Sequence, residues 1–144
     1  MKIKYVLFLL FCGLLLLGNQ RSFKIKSKFR HLKLVDEWIF LSMETITYNE
    51  EEEEREVVIR GDKNVETLSF HRSGSMSFVS INNGKEKKGR GLWLVKDEKI
   101  RIIALKDTID AIYNIDNGIL TLTTSEKETD EFYGFTSIVR YKNN

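Results

Sequence analysis

The chain of 144 residues contains no proline, one cysteine and two histidines. A single cysteine excludes a disulfide framework within one chain and any zinc site built on paired cysteines. The two histidines, His31 and His71, are too few for a three-histidine metal site, and neither has a His-x3-His or His-Glu-x2-His spacing. No Gly-x-Ser-x-Gly elbow occurs, and Gly74-Ser75-Met76-Ser77 reads as a turn entering a strand. Gly89-Arg90-Gly91 is too short to cradle a phosphate and opens a strand pattern instead of a helix. An excess of one charge is missing as well. With 23 basic and 21 acidic residues the formal net charge is +2, which argues against a nucleic-acid binder. No catalytic constellation and no cofactor is implied, so the sequence does not point to an enzyme.

Three segments are expected: an export signal over 1–20, a basic lead over 21–34 and a β-domain over 35–144. Lys2 and Lys4 give a positive start, and Tyr5 to Leu17 then runs without charge. That run is short for about 30 Å of hydrocarbon at about 1.5 Å per residue. It fits the apolar region of a secretory signal, with an uncleaved anchor as the rival reading. Cys12 invites lipidation, but bulky Phe11 precedes it and five apolar or small residues follow. It therefore reads as part of the signal core. Removal of residues 1–20 would take away Lys2, Lys4 and Cys12, leaving a neutral, thiol-free domain outside the cytoplasm.

Within the lead, Phe23, Ile25 and Phe29 alternate with Lys24, Lys26, Lys28 and Arg30. Two readings apply: a basic arm on an anionic membrane surface, or a linker or short helix packed across one end of the domain with its lysines solvated. The second is favoured, because three scattered apolar residues bury little area.

From Val35 onward the pattern has the period of strands. Strands are expected over 36–48, 66–71, 75–81, 91–96, 99–105, 108–115, 119–124 and 131–141. Turn clusters separate them, including Asn83-Gly84 and Asn117-Gly118, the strongest short-range hairpin signal. Glu56–Arg60 is either a ninth strand or an extension of the first. Links this short permit only antiparallel pairing. Eight strands most simply remove their edges by closing on themselves. An all-β, eight-stranded antiparallel up-and-down barrel is the expected fold. Glu50–Glu54, with Glu56, reads as a self-repelling solvated loop, since consecutive glutamates splay and lack the spacing of a calcium loop.

The pattern resembles a small exported bacterial lipocalin-like domain. The residues that carry it are Trp38 in the first strand, the hairpin from Leu68 to Phe78, Gly91-Leu92-Trp93-Leu94, the hairpins at Asp97 and Asn117-Gly118, and Arg140 in the last strand. Lipocalins begin the first strand with Gly-x-Trp; Asp36-Glu37-Trp38 keeps the tryptophan alone. The resemblance implies that Trp38 closes one end of the barrel with Arg140 stacked on it. It also implies an interior that holds a small hydrophobic ligand or is filled by side chains. Candidates to line that interior are Phe40, Phe70, Phe78, Trp93, Ile102, Tyr113, Leu122 and Phe135. Two functions follow: an exported carrier of a hydrophobic small molecule, or a filled barrel that reads an envelope protein or lipid through its surface.

Overall fold

The computed structural model describes residues 32–144. A single 3-10 turn, Leu32–Leu34, leads into β1 (Glu37–Tyr48), β2 (Glu53–Ile59), β3 (Asn64–Phe70), β4 (Ser75–Asn82), β5 (Lys85–Lys96), β6 (Lys99–Ala104), β7 (Asp107–Asp116), β8 (Ile119–Glu126) and β9 (Gly134–Asn143). Every pairing is antiparallel, and the strand order is β2-β1-β3-β4-β5-β6-β7-β8-β9. Pairing of β1 with β9 from Trp38↔Asn143 to Tyr48↔Gly134 closes the sheet. The result is an eight-stranded meander barrel, as the turn chemistry requires, with β2 as one extra strand.

β1 is shared by three neighbours. β9 runs along nearly its whole length, β3 covers only Glu37–Ile39, and β2 covers Ser42–Tyr48. β2 and β3 thus lie end to end beside β1, separated by a turn in which the Asn64 amide donates to the Gly61 carbonyl. A bulge between Phe40 and Ser42 resets the alternation of β1 at the point where the two meet.

Two of the hairpins are the expected Asn-Gly turns. Asn83 and Gly84 have φ of 49° and 77°, and Asn117 and Gly118 have 48° and 75°. Positive φ at both central residues matches the strand twist, and only glycine and asparagine adopt it cheaply.

Glycine has a second use in β5. A Cβ at Gly89 would lie 2.3 Å from the Phe78 ring, and one at Gly91 would lie 2.1 Å from the Ile103 carbonyl oxygen. Gly89 faces Phe78 directly across the β4–β5 ladder, so the ring folds over the space a side chain would fill. Inward side chains from all eight barrel strands form one core, including Trp38, Phe40, Leu68, Phe78, Trp93, Ile102, Ala111, Leu122 and Tyr141.

Candidate functional site: the barrel interior and its far end

One end of the barrel is capped. Leu34 is fully buried there, and the Trp38 indole N–H donates to its carbonyl at 3.0 Å. Beside it, the Trp93 indole donates to the His71 carbonyl at 3.0 Å, and the Trp93 backbone amide donates to Gly74. Both tryptophans thus bury a large ring while a backbone carbonyl accepts the N–H that burial would otherwise leave unpaired. Phe70 meets Trp93 edge-on at 5.4 Å.

Trp38 lies buried at the capped end, where its hydrogen-bond partner is Leu34, and Arg140 is not stacked on it. Alternation places Trp38 on the inner face of β1, whereas Arg140 stands between the buried Val139 and Tyr141 and faces outward. Its guanidinium lies 3.9 Å from the Glu44 carboxylate, on the outside of the sheet. The expected Trp38–Arg140 stack is therefore replaced by two separate contacts. Arg55 pairs with the other oxygen of Glu44, so two cations cover one largely buried carboxylate.

The interior candidates divide into two groups. Phe40, Phe70, Phe78, Trp93, Ile102 and Leu122 come together on the inner face, each with at most 3% of its surface accessible. A chamber large enough for a ligand would leave accessible surface on its walls, and these walls have almost none. Tyr113 and Phe135 are half-buried at the margins. Tyr113 borders a shallow open cleft near the capped end, together with Lys33, Asp97 and Glu98. Its hydroxyl is pushed above the usual tyrosine range, first by burial and then by the Glu98 charge. Phe135 lies opposite Thr47, toward the far end.

Toward that far end the inner face becomes polar. Thr45 lies opposite Ser137, and both are buried. The Thr45 hydroxyl oxygen is buried without a hydrogen-bond partner. Across the inner face of β1, the Tyr141 hydroxyl donates to Glu66 at 2.5 Å. Burial raises the Glu66 carboxyl to about 7, against a smaller lowering by the Tyr141 bond. Burial, with the Glu66 charge, also lifts the Tyr141 hydroxyl well above its ordinary value. Neither Glu66 nor Tyr141 was a candidate from the sequence. The signal for Glu66 was present, because it precedes the inward Leu68 and Phe70 by the same two-residue step.

β2 flanks this polar layer, with Glu56 opposite Thr45. It lies in the stretch read as an acidic loop and an undecided ninth strand, and its pairing with β1 from Ser42↔Ile59 to Tyr48↔Glu53 settles the matter. Val58 points inward against the core, which places Glu54 and Glu56 on the same face, while Val57 and Ile59 are exposed on the opposite one. Among the described residues, no group of three or more His, Cys, Asp or Glu side chains is arranged to hold a metal ion.

Comparison with protein-family models, curated proteins and solved structures finds no match to this chain.

Proposed function

We propose that this protein is an exported, lipocalin-like barrel that acts as a cell-envelope interaction module through its surface and carries no apolar cargo. The observation that carries this reading is the packing of the interior. The six most buried candidates for a ligand chamber form a continuous core, Glu66 and Tyr141 bond beside Phe40 within it, and the buried pair Thr45 and Ser137 lies above. An apolar ligand would have to displace both. Export is inferred from the charged start and apolar run of residues 1–20. Recognition is assigned to the far end, where the turn between β1 and β2 exposes Glu50, Glu51 and Glu52.

Native mass spectrometry of the protein isolated from its host tests this. The expected result is a mass that matches the polypeptide alone, with no displacement of an apolar fluorescent probe. A retained apolar mass would overturn the proposal in favour of the carrier function.

A further inference from the structure

We propose that the free edge of β2 receives the basic lead of a second copy of this chain as an added antiparallel strand. This rests on the interaction-module reading and names its partner.

Among the described residues the edge is open, with β2 paired to β1 alone. Its hydrogen-bonding phase is fixed at both ends. The Arg60 amide donates to Leu41, and the Asn49 amide donates to Glu52. With the β1–β2 register, this turns the backbone groups of 54, 56 and 58 toward β1 and those of Glu53, Arg55, Val57 and Ile59 toward the free side. The two faces of β2 differ in chemistry. Val57 and Ile59 are 55% and 69% exposed on the outer face, and Glu54 and Glu56 stand on the inner face. A strand suited to this edge must therefore be apolar on one face and basic on the other.

Residues 23–30 have that composition, reading Phe-Lys-Ile-Lys-Ser-Lys-Phe-Arg. One antiparallel register sets Ile59 beside Phe23 and Val57 beside Ile25, while Glu56 meets Lys26 and Glu54 meets Lys28; the same register sets Val58 beside Lys24 and Glu53 beside Phe29, so the match is carried by these four central pairs. Arg55 then faces Ser27, the one position in the lead's apolar series that can lie against a cation without an apolar mismatch. Because strand side chains alternate, a slip by one residue sets a lysine against Val57 and either Phe29 against Glu54 or Ile25 against Glu56. The acidic face also repels another β2, which closes the edge to self-pairing and leaves it open to a basic strand.

Direction selects a second copy. The lead joins the described chain at Leu32, at the capped end, and β2 runs from the far end toward the capped end. A chain's own lead would thus lie parallel to its β2. That arrangement, with Ile25 beside Val57, sets Ile59 against Ser27 and Arg55 against Phe23.

Cysteine cross-linking in the full chain, on a Cys12→Ser background, tests the register. Ile25→Cys combined with Val57→Cys is expected to give a covalent dimer under mild oxidation. Lys24→Cys with Val57→Cys, which puts the thiols on opposite faces, is expected to give roughly tenfold less. Lys26→Glu with Lys28→Glu should lower the dimer yield about tenfold, and adding Glu54→Lys with Glu56→Lys should restore it. An intramolecular cross-link would overturn the second copy as occupant. Equal yields from the two cysteine pairs, or no effect of charge reversal, would overturn the added strand. A retained apolar mass in the cargo experiment bears on the module reading alone and leaves these yields unchanged.

Discussion

The Tyr141 hydroxyl bonds to the Glu66 carboxylate at 2.5 Å, linking β9 to β3 over the inner face of β1. β1 pairs with β3 only through Glu37–Ile39, so this bond holds β3 to the barrel beyond the end of their shared ladder. Tyr141 is also fixed by an edge-on contact with Phe40 at 6.1 Å. A buried acid thus sits at the point where the sheet is least tied by backbone hydrogen bonds.

Its protonation links stability to pH. The folded-state value of about 7 lies above the ordinary 4.5, so the folded state binds the proton more tightly. Stability from this group is fully present below about pH 4.5 and is lost as pH rises through about 7, with a total swing of about 3 kcal/mol. Urea unfolding between pH 5 and 8 should show this decline, and Glu66→Gln should flatten it. An undiminished slope in the variant would assign the effect to other groups.

Gly89→Ala and Gly91→Ala should both destabilise the barrel, for different reasons. At Gly89 the new methyl meets the Phe78 ring, which must rotate within a packed core, at about 1–3 kcal/mol. At Gly91 it meets the Ile103 backbone, which cannot rotate away, so the loss is expected to be larger. Thermal melts of the two variants give the order directly.

Arg140 and Trp38 should behave as independent residues. Trp38→Ala removes a fully buried ring and its bond to Leu34, at about 3–5 kcal/mol. Arg140→Ala should cost only about 0–1 kcal/mol, since its contact with Glu44 is partly exposed. A double-mutant cycle between these two positions should be additive, whereas one between Arg140 and Glu44 should show coupling.

Thr45→Val should stabilise the protein by about 1 kcal/mol. The exchange keeps the shape of the side chain and removes a buried hydroxyl oxygen that has no partner. Lower denaturant resistance in this variant would mean that the hydroxyl is satisfied in solution.

Much of the barrel could be read from the residues because its hairpins carry their own chemistry. Asn83-Gly84 and Asn117-Gly118 fixed two turns, and alternation placed Phe70, Phe78, Trp93 and Leu122 on the inner face. The first half of β5 was not visible, since Lys85–Arg90 is charged and carries no apolar alternation. It is a strand because β4 supplies a ladder from Asn82↔Lys85 to Ser77↔Arg90. β2 was obscured for the same reason by its glutamates. The contacts at the site depend on register instead of pattern. Arg140 lies near Glu44 because the bulge after Phe40 shifts β1 against β9, and no local sequence feature announces that shift.

The β1–β9 pairing also determines when the molecule can become whole. Among the described strands β1 is made first and its closing partner last, some 90 residues later in the chain. Until β9 arrives, Phe40 and Met43 have no strand on one side, and the core cannot be completed from the N-terminal strands alone. Closure of the barrel is thus the step that has to wait for the end of the chain.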